Sequence, residues 1–369
     1  MNAPAAFFTG PALVVAIIAL LAVLIFLHEL GHFLAAKALK IPVKQFALGF
    51  GPALVARQWG ETQYRINALP LGGYCAFADD VHEDPEGTRT VEPHAYLRNR
   101  PLWQRTIVVS AGVVANVLIA WVALVVQMGV VGVPEEKVLE TSKVGVLVTT
   151  VVGKPAKEAG LKEGDHVVAI DGVRLTAPED FQKKVRAKPE KELTLEIVRG
   201  RGKDAEKTMT VTARPDAKGK LGVGIAQPRE LNFRKATGPV EVLVEGTHQT
   251  VRLTKAMGQG LWMLFTGQLP LEMIGGPIAI VHMGATTVQN FYQFCMYAAM
   301  ISLDLAIINF LPVPGLDGGH LLFILLEAIF RRPLPRRVEE TILGTGLILL
   351  LGLGVLLIVK DILTLSNGG

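Results

Sequence analysis

Charged residues are scarce in this chain of 369 residues: Asp, Glu, Lys and Arg make up only 19% of it, whereas 50% is hydrophobic. Soluble proteins carry about 25% charged residues, so the deficit argues against a wholly soluble protein. The only two cysteines, Cys75 and Cys295, are too few and too far apart to form a disulfide framework or a CxxC metal site. The net charge of +4 is typical of membrane proteins, which gather Lys and Arg in cytoplasmic loops. We therefore expect no nucleic-acid partner.

Lys and Arg are absent from the interior of several long apolar runs. A transmembrane helix needs about 20 apolar residues to cross about 30 Å of hydrocarbon. Four segments meet or approach this length, at residues 11–36, 102–133, 291–311 and 341–359. The N-terminus lacks the positively charged start of a signal peptide, and its apolar run is longer than a signal peptide's hydrophobic region, so we interpret it as a retained membrane helix.

These runs predict a polytopic α-helical membrane protein of about four transmembrane helices, with a membrane-associated β-region and one extracytoplasmic α+β domain. Alternating apolar residues predict strands at 144–152, 166–172 and 193–200, and hairpin arms at 43–56 and 62–77. The predicted segments are helix 1–36, β-region 37–100, helix 101–133, outer domain 134–229, amphipathic membrane-surface segment 230–290, a third transmembrane segment 291–330 that contains NFLPVPGLDGGH, basic loop 331–340 and helix 341–363.

Basic residues determine the predicted orientation. They concentrate after the first apolar run, between Lys37 and Arg105, and again at 331–337, which reads RRPLPRR. Since Lys and Arg favour the cytoplasmic side, both loops are predicted to be cytoplasmic, and the domain at 134–229 is predicted to lie outside.

The residues most indicative of chemistry are His28, Glu29 and His32 in the sequence HELGH. On a helix, positions i and i+4 share one face, so both imidazoles can bind one zinc ion while Glu29 acts as general base. Zinc lowers the pKa of bound water towards 7, which suits hydrolysis. Ionisable side chains are costly in an apolar segment, so a purely structural role for the two histidines is disfavoured.

A catalytic zinc usually has three protein ligands and one open position. No third histidine follows HELGH at the spacing used by metzincins, and the best remaining candidate is Asp317 in NFLPVPGLDGGH. Pro312 and Pro314 forbid a regular helix there, and broken helices survive at membrane depth only inside protein or beside water. Asp317 could instead cap the following helix; the two roles are compatible.

The ordered set HELGH, AGVVAN and NFLPVPGLDGGH, together with FALGFG, LPLGGY and GGPIAI, resembles the site-2 protease family of intramembrane zinc metalloproteases. The resemblance is greatest to the bacterial branch typified by the regulator of sigma-E protease, and it covers nearly the whole chain. It implies one zinc ion held by His28, His32 and Asp317, with Glu29 as the catalytic base.

The resemblance also implies residues that handle substrate. Asn309, Pro312 and Pro314 match family positions of that kind, and we add Gly72, Gly73, Asn116 and Asp304 as candidates. Asp304 stands where relatives often have Asn, and it could equally be a helix contact. The Pro that usually follows Gly112 is Val113 here, which leaves a kink at that point in doubt. His320 could be a spare ligand or a structural hydrogen-bonding residue.

The sequence GLKEGDHVVAIDGVRL resembles a PDZ module, which binds extended peptides by adding a strand to a sheet edge. The family resemblance implies an enzyme of the bacterial inner membrane. Its expected substrates are single-span membrane proteins already cleaved outside, such as anti-sigma factors, and signal-peptide remnants, with the active site near the cytoplasmic leaflet. One alternative is an HtpX-like membrane zinc peptidase, which requires a Glu as third ligand. Another is a non-catalytic PDZ scaffold, which the intact Glu29 disfavours.

The predicted orientation can be tested by labelling single cysteines from outside the cell in a chain that lacks Cys75 and Cys295. A cysteine at Glu190 should react with a membrane-impermeant maleimide, whereas a cysteine at Leu334 should react only after the membrane is permeabilised. The reverse pattern would overturn the orientation drawn from the basic loops.

Overall fold

A computed structural model describes residues 10–77, 96–200, 207–268 and 274–366. The chain divides into two compact units. The first unit comprises Met1–Val133 with Lys235–Gly369, and the second unit is Pro134–Arg234. Elements of the first unit are α1 (Pro11–Ala38), β1 (Val43–Trp59), β2 (Thr62–Phe77), α2 (Leu102–Val130), α6 (Pro239–Phe265), α7 (Pro277–Thr287), α8 (Phe291–Phe310), α9 (Asp317–Phe330) and α10 (Arg336–Ser366).

Within the described ranges, four helices are long and apolar enough to cross a membrane: α1, α2, α8 and α10. They coincide with the four segments predicted from the sequence. The predicted third transmembrane segment, 291–330, is two helices, α8 and α9, separated at residues 311–316. The structure differs from the prediction at the basic loop, since Arg336 and Arg337 belong to α10 rather than to the connecting loop.

The helices pack around α2, which contacts α1, α6, α8 and α9. Gly31 brings α1 close to α2, since a Cβ at Gly31 would lie 2.6 Å from the carbonyl oxygen of Ala111. On another face of α2, the buried side chains of Ala120 and Leu124 pack with residues of α8. The buried Arg105 of α2 also donates to Glu327 of α9 over 2.6 Å. Helix α2 is therefore the element against which the other helices of the bundle pack.

Proline and glycine explain the break between α8 and α9. Pro312 and Pro314 cannot donate a backbone hydrogen bond, and Gly315 adopts a φ of 94°, which favours glycine. The turn then folds back onto the start of α9: a Cβ at Gly319 would lie 2.5 Å from the carbonyl oxygen of Val313. The prediction that helix is interrupted here is confirmed.

The two predicted hairpin arms form antiparallel strands, but each arm bends. The first half of β1 pairs on one side with the end of β2, where Phe46 lies opposite Cys75. On its other side it pairs with the beginning of β2, where Phe46 lies opposite Tyr64. The second half of β1 pairs only with the beginning of β2, where Arg57 lies opposite Tyr64. The two bent strands thus make a ribbon of four strand segments side by side, in which residues 73–77 occupy one outer position. Bulges at Gly-rich points allow such bends.

The second unit is an antiparallel sheet with short helices. Its elements are β3 (Val133–Val138), α3 (Thr141–Val144), β4 (Val146–Val151), α4 (Lys154–Glu158), β5 (His166–Ile170), β6 (Val173–Arg174), α5 (Pro178–Arg186), β7 (Leu193–Arg199), β8 (Lys207–Ala213), β9 (Val223–Ala226) and β10 (Arg229–Arg234). The sheet order is β8-β7-β5-β4-β9, and β3 pairs with β10. Strands predicted at 144–152, 166–172 and 193–200 are confirmed. Because β10 pairs with β3, the unit extends beyond the predicted boundary at residue 229.

The helix expected within 230–290 is present as α6. It packs against α2, where a Cβ at Gly246 would lie 2.5 Å from a methyl of Val125, and the Trp121 indole donates to Thr247 Oγ1 over 3.0 Å. The face of α6 that carries Gly246 and Thr250 therefore lies against α2, whereas Leu243, Trp262 and Phe265 are exposed. Its position at the membrane surface stays a prediction.

Candidate metal centre

Three side chains from α1 and α9 bring one ligand atom each to a common point. His28 Nε2 lies 3.3 Å from His32 Nε2, and Asp317 Oδ2 lies 3.3 Å and 3.2 Å from these two nitrogens respectively. Atoms bound to a tetrahedral zinc at about 2.0–2.2 Å lie about 3.3–3.6 Å from one another. The nearly equilateral triangle thus has the dimensions of one face of a zinc tetrahedron. Among the described residues, this is the group of three whose arrangement could hold a metal.

The carboxylate of Asp317 supports this interpretation. Its Oδ2 is buried yet forms no hydrogen bond. A buried carboxylate oxygen without a donor is costly, and a cation at the centre of the triangle would remove that cost. Asp317 is the first residue of α9, and Leu316 occupies the N-cap position. The alternative that Asp317 caps α9 is therefore wrong.

Helix α2 lines the other side of both imidazoles. The Nδ1–H of His32 donates to the carbonyl oxygen of Val108 over 2.8 Å, which leaves Nε2 available to bind a metal. Between the two rings lies Gly112, where a Cβ would be 2.6 Å from His28 Cε1 and closer still to His32 Nε2. Any larger residue at this position would displace both imidazoles.

Glu29 lies beside the triangle and contacts the end of β2. A Cβ at Gly73 would lie 3.2 Å from Glu29 Cγ, and the backbone N–H of Cys75 donates to the Glu29 carboxylate. A carboxylate next to a metal-bound water is suited to accept a proton from it. The outer segment of the β-ribbon therefore positions the candidate base.

A cavity of about 1040 Å³ adjoins these groups. Glu29, His32 and Asp317 line it, together with residues 74–77 of β2. His320, one turn after Asp317 on α9, also lines the cavity, as do Arg98 and Arg105. Polar side chains therefore face a space large enough for several residues of an extended peptide.

The sequence profile of Peptidase family M50 matches residues 16–353. The chain belongs to peptidase family M50, the site-2 protease family. A protein of Nostoc sp. named as a zinc metalloprotease is 39% identical to it over 96% of this chain and 97% of its own length. The chloroplastic membrane metalloprotease ARASP of Arabidopsis thaliana is 36% identical over 95% of this chain and 78% of its own. The regulator of sigma-W protease RasP of Bacillus subtilis is 29% identical, over 95% and 98%.

These relatives establish that this M50 peptidase is a membrane zinc metalloprotease. An HtpX-like peptidase would place a Glu beside the two histidines, whereas the third group here is Asp317. A non-catalytic scaffold does not fit the family either. The expected zinc cofactor and the expected enzyme class are confirmed.

The predicted substrate-binding residues have different positions in the M50 peptidase. The amide of Asn309 lies 3.5 Å from His28 Nε2, and Gly73 contacts Glu29, so both border the centre. Gly72 instead makes room for the ring of Phe50, with a φ of 90°. Pro314 packs against Gly346 of α10, so it supports the turn rather than lining the cavity.

Two further candidates for substrate binding, Asn116 and Asp304, are not among the residues that line the cavity, and their role in substrate binding stays a prediction. Asn116 is fully buried and faces His28 Nδ1 at 3.1 Å, so it contacts a candidate ligand rather than the cavity. Asp304 is exposed on α8 and is not part of the triangle. Sequence reasoning missed Val108, because its contribution is a backbone carbonyl that any residue could supply.

Replacement of Gly112 with alanine should weaken zinc binding about tenfold or more, since crowding of a packed site typically costs about 1–3 kcal/mol. Gly129→Ala on the same helix is the matched control, because a Cβ there would meet nothing within 4 Å. Zinc affinity can be measured by competition with a chelator in detergent. Equal affinities in the two variants would show that Gly112 does not constrain the imidazoles.

Proposed function

We propose that this M50 peptidase is an intramembrane endopeptidase that cleaves single-span membrane proteins within or near the bilayer. His28, His32 and Asp317 hold the zinc ion and Glu29 is the general base. The observation that supports this most directly is the triangle of ligand atoms, 3.2–3.3 Å on each side. Its residues lie on α1, which is an apolar span, and at the start of α9, which follows the apolar span α8. An active centre placed there can reach peptide bonds that lie inside the membrane.

A zinc ion held by His28, His32 and Asp317 would supply Lewis-acid polarisation of a water molecule and of the substrate carbonyl. Glu29 accepts the proton of the attacking water and transfers it to the leaving amine, as a carboxylate in this position can do in both steps. The amide of Asn309, beside His28, is available to hydrogen-bond the substrate carbonyl oxygen as negative charge develops there. The cavity next to Glu29 and Asp317 supplies room for the reacting peptide.

The substrate must be extended at the cleaved bond, since the carbonyls of a helix are engaged in internal hydrogen bonds. Residues 73–77 form the outer segment of the β-ribbon and line the cavity beside Glu29. We propose that the unwound substrate lies along this segment, in the manner of β-strand addition. Helix-destabilising residues near the cleavage site would then favour hydrolysis.

The substrates that we propose are anti-sigma-factor-like membrane proteins already trimmed outside, and signal-peptide remnants. One relative is named regulator of sigma-W protease, which supports a regulatory substrate of this type. We place the enzyme in the bacterial inner membrane, with the second unit outside and the metal centre near the cytoplasmic leaflet. The basic residues after α1 and between α9 and α10 support this orientation.

The second unit is proposed to be a PDZ domain. Its antiparallel sheet has β9 in an outer position, and α5 contributes Phe181 and Val185 to the same core that Val223 and Ile225 of β9 pack against. An outer strand next to a helix is the arrangement to which PDZ ligands add a strand. The domain could thus bind a newly formed C-terminus or exclude bulky substrates.

The roles of the metal ligands and the base can be separated by mutation. His28→Ala, His32→Ala and Asp317→Ala should each lower zinc content and abolish cleavage, because three ligands leave little redundancy. Glu29→Gln should keep about one zinc per chain and lose turnover, since the base is not a ligand. Zinc content by mass spectrometry and cleavage of a reconstituted substrate measure the two effects. Full zinc occupancy in Asp317→Ala would remove Asp317 from the centre.

Deleting the second unit tests its role. Since β3 and β10 pair with each other, residues 134–234 can be replaced with a short Gly-Ser linker. We favour exclusion of bulk, and in that case the deletion variant should cleave substrates with large outer domains that the intact enzyme rejects. If the unit recruits trimmed substrates, KM should rise with kcat nearly unchanged. Loss of all cleavage in a folded, zinc-binding variant would contradict both roles.

A further inference from the structure

Each imidazole of the proposed zinc site has a second nitrogen that faces α2. Nδ1 of His32 faces the carbonyl oxygen of Val108 at 2.8 Å. Nδ1 of His28 faces the side-chain amide of Asn116 at 3.1 Å. Val108 and Asn116 are eight residues apart on α2, with Gly112 midway. All three lie on the face of α2 that is turned towards the metal centre.

The hydrogen on Nδ1 of His28 determines whether the Asn116 side chain must accept or donate a hydrogen bond. A neutral histidine that binds a metal through Nε2 carries its hydrogen on Nδ1, and this N–H needs an acceptor. The amide NH2 of Asn116 would oppose it as a second donor. Turning the amide by 180° about χ2 exchanges its oxygen and nitrogen and moves no other residue. Oδ1, which has no hydrogen-bond partner when it points away, then accepts from His28.

The surroundings hold Asn116 in place for this role. Its side chain is fully buried, so water does not compete for the hydrogen bond. The hydroxyl of Ser302 on α8 donates to the Asn116 backbone oxygen over 2.8 Å, which ties α2 to α8 at this residue. The amide therefore has a defined position relative to the imidazole ring.

We propose that Asn116 is a positioning residue of the metal centre: its side-chain oxygen accepts Nδ1–H of His28 and thereby directs Nε2 to zinc, as the Val108 carbonyl does for His32. The inference rests on the proposed ligand role of His28. It replaces the substrate-binding role expected from the sequence. Hydrogen-bond partners of this kind typically contribute about 10- to 100-fold to metal affinity.

Two substitutions of Asn116 separate hydrogen-bond acceptance from packing. Asn116→Leu keeps a similar shape without polar atoms, whereas Asn116→Asp keeps an acceptor and loses the NH2 donor. Gln127→Leu is the matched control, since Gln127 is another fully buried amide on α2 and it donates to Gly132 rather than to the metal centre. The zinc dissociation constant, from competition with a chelator, and the Tm of the zinc-free protein are measured for each.

We expect Asn116→Leu to bind zinc about 10- to 100-fold more weakly, and Asn116→Asp and Gln127→Leu to remain near the unmutated protein. Weakening of Asn116→Asp to the level of Asn116→Leu would overturn the proposal, since the amide would then act as a donor. Equal affinity in Asn116→Leu and Gln127→Leu would overturn it as well. If Asn116→Leu does not fold, the affinity of Asn116→Asp decides alone. His28→Ala is measured in parallel: unchanged affinity there would instead refute the proposed ligand set.

Discussion

The fold depends on holding three polar side chains together inside an apolar bundle. Two imidazoles and a carboxylate each cost free energy when they are removed from water without partners. The bundle meets that cost by placing the three ligand atoms within 3.2–3.3 Å of one another, where a divalent cation can bind them all. The geometry of the metal centre therefore depends directly on how α1, α2 and α9 pack.

Helix α2 positions the two imidazoles. It carries no ligand itself, but it supplies the Val108 carbonyl, the space at Gly112 and the amide of Asn116 along one face. A side chain at position 112 would push the imidazoles away from Asp317. Small residues let helices approach closely in membranes, and here the close approach also shapes a metal site.

The break between α8 and α9 brings Asp317 to the two histidines. Pro312 and Pro314 end the first helix, and Gly318 and Gly319 let the turn fold onto the second. Irregular backbone at this depth requires protein or water around it. On the other side of the centre, the end of β2 contacts Glu29 and lines the cavity, so a ribbon rather than another helix borders the candidate base.

The sequence alone was sufficient for the four apolar helices, the HELGH pair, the interrupted helix at Pro312 and the strands of the second unit, because each is a local pattern of hydrophobicity or of helix-breaking residues. Asp317 as third ligand was singled out by elimination and by family resemblance. Only the tertiary structure could show that Asn116 faces His28, that Asp304 lies apart from the triangle and that Gly73 rather than Gly72 contacts Glu29. These outcomes depend on which face of one element meets another, and residues distant in sequence carry no local signal of that meeting.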